Sequence, residues 1–316
     1  MTWLRTVQTI EETRYLVRGY RHTLISTIFN WQNAVILHNM GKVGSSTVFG
    51  SLIASEAVRE KNLYRTHFLS KKGVQLIREV HENGYGGWQN FPPNIKSMVM
   101  AELVKSKLFR WRFSEHSRCK VVTLVRDPIA TNIAGFFQNY LWWPDEVYEL
   151  CRNRPSECLE ELTKCFLDKY PHDYPLNWFD WELGGVHGID IKAEGFPTSR
   201  GWKIYKQKHA DILVIRLDML NSGAKEAFKE LLAIDDFDIV NDNVADKKWY
   251  ADLYNEFKNS IVLPEAYISK IYDSQWVQHF YSAEEISAFK IKYRREGVMK
   301  ACSEKPDEVD PIDTFV

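Results

Sequence analysis

The stretch Ala34–Gly50, AVILHNMGKVGSSTVFG, constrains this chain more than any other. The apolar run Ala34–Leu37 reads as a buried strand. It breaks at His38–Gly41 into a short loop, Gly41-Lys42-Val43-Gly44-Ser45-Ser46-Thr47, and a helix is expected from about 46 to 60. A strand, a glycine loop and a helix N-terminus together suit a phosphate. Glycines let backbone N–H groups approach the anion, and the helix dipole favours negative charge. In the loop of nucleoside triphosphatases the lysine follows the second glycine. Here Lys42 precedes Gly44, and the hydroxyls of Ser45, Ser46 and Thr47 come after it. The same residues also fit a plain glycine turn leading into a serine-capped helix.

A second segment, Lys120–Tyr140, narrows the choice. Val121–Val125 is a continuous aliphatic run of the kind found in central parallel strands. Arg126-Asp127-Pro128 ends it. Pro128 suits a first helical position, and Ile129, Ile133, Phe136, Phe137 and Tyr140 recur at helical spacing. An arginine at the C-terminal end of a parallel strand lies at the ligand-binding edge of such a sheet. Further strands are expected at Leu63–Leu69, Ser97–Leu103 and Ile212–Leu217, and helices near 74–82 and 224–233. The pattern from 246 to 295 is mainly helical. The order is that of an α/β fold: a central parallel sheet flanked by helices, with a mainly helical C-terminal region.

The glycine loop resembles the 5′-phosphosulfate loop of sulfotransferases that use 3′-phosphoadenosine 5′-phosphosulfate (PAPS). Strand-Arg-Asp-Pro-helix resembles the 3′-phosphate motif of the same superfamily. Later words, among them Asn177-Trp178-Phe179-Asp180-Trp181-Glu182, Gly188-Ile189-Asp190, Lys248-Trp249-Tyr250 and His279-Phe280-Tyr281-Ser282, look like one bacterial branch, the sulfotransferase-like proteins of capsular polysaccharide synthesis. The resemblance covers roughly residues 34–295 and implies a P-loop-like domain over 34–302. It implies PAPS as co-substrate, adenosine 3′,5′-bisphosphate as product, no metal, and a glycan or glycolipid hydroxyl as acceptor. Gly41, Lys42, Val43, Gly44, Ser45, Ser46 and Thr47 would bind the 5′-phosphate, with Lys42 also meeting charge on the leaving oxygen. Arg126 would bind the 3′-phosphate. The family's serine eight residues later is Ala134 here, so Thr131, Asn132 or a water would have to substitute. In the family the general base stands just after the first helix or on the strand before the arginine strand, so it would be His67 or Glu102, the latter on the strand expected at 97–103.

Composition agrees with one enzyme-sized unit. The chain has 316 residues, 45% hydrophobic, with net charge −1, so bulk charge gives no argument for nucleic acid or a membrane. No apolar run is long enough to span a bilayer. Residues 1–33 read as a helical extension with Arg14, Arg18 and Arg21 on one side, suited to packing or to peripheral contact with the inner membrane face. The tail 303–316 is acidic. Five cysteines without a recognisable signal peptide suggest free thiols in a cytoplasmic setting. On one helix Cys151, Cys158 and Cys165 would stand about 10 Å apart, too far to share a metal. Two other functions fit the same residues: a P-loop phosphotransferase, and a non-catalytic nucleotide- or glycan-binding protein of polysaccharide assembly. The sequence carries no signal for an oligomeric state.

Overall fold

The computed structural model describes residues 34–55, 58, 62–114, 118–138, 142–240 and 248–294. The expected N-terminal extension, the acidic tail and Tyr140 lie outside the described residues. In chain order the elements are β1 (Val35–His38), α1 (Ser45–Ala54), β2 (Leu63–Thr66), α2 (Lys71–Tyr85), α3 (Pro93–Ser114), β3 (Cys119–Val125) and α4 (Pro128–Gln138). Then come α5 (Asp145–Asn153), α6 (Leu159–Lys169) and α7 (Tyr174–Trp178), which runs through a π-helical stretch (Phe179–Gly184) into α8 (Gly185–His187). β4 (Trp202–Lys206), β5 (Ala210–Arg216) and α9 (Leu220–Leu232) follow. The chain closes with α10 (Ala251–Ser260), α11 (Glu265–Tyr272), α12 (Gln275–Phe280) and α13 (Ala283–Arg294). No described helix is long and apolar enough to cross a membrane.

The five strands form one sheet in the order β2-β1-β3-β5-β4. Every pairing is parallel except β4 against β5. All four residues of β1 are buried, as are six of seven in both β3 and β5. Strands covered by helices on both faces read as continuous apolar runs, which is why these three were legible. Edge strand β4 mixes lysines with apolar residues and buries only Trp202 and Tyr205, so it gives no continuous apolar run. From β1 the chain crosses to β2 on one side, then returns to β3 on the other. The strand order therefore reverses beside β1, and the crevice for a ligand opens at the C-terminal ends of β1 and β3. Those ends carry the glycine loop and Arg126.

Two expectations are corrected. Residues 97–103 are not a strand but part of the long helix α3. Apart from Val104, its buried positions Val99, Glu102, Ser106, Phe109 and Phe113 recur at intervals of three and four. A seven-residue window could not show that period; Pro93 at the first helical position and the Met, Ala, Glu, Leu and Lys content favour the helix. Cys151 and Cys158 are not on one helix, nor are they free. α5 stops before Pro155, the chain turns back, and the two cysteines form a disulfide with Cα atoms 5.2 Å apart. Cys119 and Cys165 are free and buried.

The C-terminal helices are pinned to the sheet by two buried charges. Asp127 accepts hydrogen bonds from the Ile129 N–H (2.9 Å), the Tyr272 hydroxyl (2.8 Å) and the Tyr293 hydroxyl (3.3 Å). Burial pushes its carboxyl above the usual range. Arg216, at the end of β5, is 1% exposed and donates to Glu285, Asp218 and the carbonyl oxygens of Thr198 and Phe280.

Candidate functional site

The loop after β1 is bent by local backbone geometry. Lys42 has φ +68° and Gly44 φ +82°, both left-handed. A Cβ on Gly44 would stand 2.5 Å from a methyl of Leu217, which would have to move, so both the left-handed backbone and the close contact favour glycine there. Left-handed residues in a turn shape the backbone concavities that take anions. Helix α1 starts directly after Gly44, has no side-chain cap and carries no acid in its first turn. The helix's own first turn therefore supplies no countercharge to its positive end. Ser45 and Thr47 are buried, while the half-buried Ser46 hydroxyl accepts a hydrogen bond from Arg65 of β2 at 2.8 Å. Arg65 adds a cation to the helix start that the motif reading did not include.

Asn39 knits three strand ends together beneath this loop. Its N–H donates to the Thr66 carbonyl at 3.2 Å, and its side-chain oxygen accepts from the Leu124 N–H. Its carbonyl lies 2.6 Å from Nδ1 of His67, which stands at the end of β2. A carbonyl can only accept, so Nδ1 carries a proton; whenever the ring is neutral, the lone pair is on Nε2. That is the tautomer a general base needs. His67 and Lys42 border the same cavity, of about 360 Å³, roofed by Tyr170, Tyr174 and Trp142. Of the loop residues, Gly41 and Lys42 border it, and the Gly41 N–H donates to the Tyr174 hydroxyl at 3.4 Å.

The other sequence candidates are placed differently. Glu102 is 8% exposed; its carboxylate accepts from the Thr66 hydroxyl (2.9 Å) and Lys105 Nζ (2.8 Å). It ties α3 to β2 and does not border the cavity. Arg126 is 6% exposed, and its Nη1 donates to the Lys42 carbonyl at 2.9 Å, so it holds the loop from beneath. It borders a separate void of about 10 Å³ under Trp276 and Phe280, room for one water. Asn132 turns away from the loop, donating to the His172 carbonyl (3.1 Å) and the Tyr267 hydroxyl (3.3 Å). Ala134 is packed into the apolar core. Thr131 Oγ1 is buried without a hydrogen-bond partner, on the first turn and a half after Pro128.

The residue that sequence reasoning missed most clearly is Glu182. It is fully buried in the π-helical stretch. Oε2 accepts from the Leu69 and Ser70 N–H groups (2.8 and 2.9 Å) and from His38 Nε2 (3.1 Å), and Oε1 accepts from the Ser70 hydroxyl (2.7 Å). Burial, the largest effect, raises its carboxyl. His38 and the Leu69 and Ser70 donors together outweigh it and hold Glu182 below the usual range. Beyond it runs a line of imidazoles: His38 Nδ1 to His187 Nε2 at 3.2 Å, then His187 Nδ1 to His209 Nε2 at 3.1 Å. Burial holds His187 well below the ordinary imidazole range and lowers His209 as well. The word Asp180-Trp181-Glu182 was the one available signal, and it marked the segment without its partners.

No curated protein and no solved structure matches the chain. Residues 158–282 match the family model NKWYS, described as "Putative capsular polysaccharide synthesis protein"; the matched span holds Glu182, β4, β5 and α9 to α12 but neither the glycine loop nor Arg126.

Proposed function

We propose that this protein is a PAPS-dependent sulfotransferase of P-loop-like fold, moving a sulfuryl group to a hydroxyl of a carbohydrate-bearing acceptor in capsular polysaccharide synthesis. One observation carries the reading: Lys42 and His67, from the ends of β1 and β2, border one cavity beside a left-handed loop, with His67 held in the tautomer of a base. The family match supports the polysaccharide setting. PAPS would supply the activated sulfuryl group. The backbone of Gly41–Gly44 and the start of α1 would hold its 5′-phosphate. His67 Nε2 would take the proton of the acceptor hydroxyl. The Lys42 ammonium would offset negative charge growing on the leaving oxygen, a contribution made mainly in the transition state. Arg126 keeps the loop in place through the Lys42 carbonyl. The void beside it is too small for a phosphate, so its 3′-phosphate role rests on the motif resemblance and on the unpartnered Thr131 hydroxyl nearby in sequence.

Calorimetric titration with adenosine 3′,5′-bisphosphate, adenosine 5′-phosphate and ATP with Mg²⁺ tests the reading. The bisphosphate is expected to bind best, and His67→Ala to leave its affinity unchanged. Preference for ATP with Mg²⁺ would instead point to a phosphotransferase. Binding of none of the three would refute a nucleotide site.

A further inference from the structure

Much of the cavity beside Lys42 and His67 is walled by carbon. Leu76, Ile77 and Val80 of α2 and Ile95 and Met98 of α3, all half-buried, supply that part of the lining. Its volume, about 360 Å³, is within the range of small-molecule sites. Two further polar atoms of the lining, His81 Nδ1 on α2 and Gln138 Oε1 on α4, are buried without a hydrogen-bond partner. Burial holds His81 below the ordinary imidazole range, in keeping with its apolar surroundings. An oligosaccharide filling this space would set hydroxyls on nearly every carbon against the five aliphatic side chains of α2 and α3, which offer them no partner; beyond Lys42 and His67, the polar side-chain atoms of the lining lie on His81, Gln138, Tyr170, Tyr174 and Trp142. Five half-exposed apolar side chains from two helices, in a concave wall, are instead the complement of a hydrocarbon chain.

We infer that the acceptor is an amphiphile: a hydroxylated head group meets Lys42 and His67, and an alkyl or prenyl chain lies along α2 and α3. The transfer to that head group rests on the sulfotransferase reading; the apolar site does not. The test is calorimetric titration with hexyl, octyl and decyl β-glucosides below their micellar concentrations, against glucose and maltotriose, each with and without saturating adenosine 3′,5′-bisphosphate. Each buried methylene is expected to tighten binding up to about fourfold until the cavity is full. Glucose and maltotriose should bind weakly. Val80→Asn and Met98→Gln should flatten the chain-length dependence and leave bisphosphate affinity unchanged. Affinity independent of chain length overturns the inference, as does a chain-length dependence that both variants leave intact. Competition between octyl glucoside and the bisphosphate also overturns it, because the nucleotide would then occupy the cavity. If the chain-length series behaves as expected but the bisphosphate does not bind, the apolar site stands and the sulfotransferase reading fails. The opposite pattern separates them the other way.

Discussion

Lys42 offers a way to separate the backbone of the loop from its chemistry. Its φ of +68° places a residue with a Cβ in the left-handed region. That conformation costs about 1–2 kcal/mol for an ordinary L-residue. Glycine escapes this cost but loses about 0.5–1 kcal/mol more than alanine through its freer unfolded chain. Lys42→Gly and Lys42→Ala both remove the ammonium and all its contacts, so these losses cancel in the comparison. The difference left is the backbone alone: the glycine variant should be the more stable by about 0.5–1 kcal/mol. For a domain of this size that is roughly 1–2 °C in Tm, measurable by scanning calorimetry on the two variants side by side. In the transfer assay both should be inactive, since neither can offset charge on the leaving oxygen. Affinity for adenosine 3′,5′-bisphosphate should fall less than turnover, and less in the glycine variant, which keeps the loop conformation. An alanine variant as stable as the glycine one would refute the strain argument. Near-normal turnover in either would remove Lys42 from the chemistry.

Three further outcomes follow from the geometry. A Cβ on Gly73 would stand 2.1 Å from Glu182 Oε1 and 2.5 Å from Phe68 Cδ1; Gly73→Ala should therefore cost about 1–3 kcal/mol in urea denaturation, and a change under ~0.5 kcal/mol would show that the Glu182 clamp yields freely. His187 and His209 have folded-state pKa values below the unfolded value near 6.5, so the unfolded chain binds protons first. Stability should be fully present above about pH 6.5 and fall as pH drops below it; His187→Gln should flatten that slope between pH 7.5 and 5.5, and an unchanged slope would exclude the buried imidazole as its source. His67→Ala should lower turnover about 10²–10⁴-fold, whereas Glu102→Gln should mainly lower stability by loosening Thr66 and Lys105; inactivity of the glutamine variant alone would make Glu102 the base.

The legibility of each element tracks the range of the forces that form it. β1, β3 and β5 could be read because strands covered on both faces need apolar residues at nearly every position. The glycine loop was legible because Gly44 answers to a backbone requirement that few other residues meet. Helix α3 was misread as a strand at 97–103 because its period shows only over its 22 residues. The disulfide was missed because it depends on Pro155 turning the chain between α5 and α6.

The sequence by itself determined the parts: a glycine loop between a strand and a helix, an arginine at a strand end, two candidate bases and an α/β order. These follow from steric and hydrophobic rules acting between near neighbours. The tertiary structure alone decided which parts meet. Glu182 reaches His38 across 144 positions, and Asn39 sets the position of a proton on His67 through a carbonyl just past the end of β1. Such contacts carry no local signature, because any buried carboxylate or carbonyl could serve; the strand order chooses the one that does. The same order set Lys42 and His67 on one cavity and packed Asn132 and Ala134 away from it.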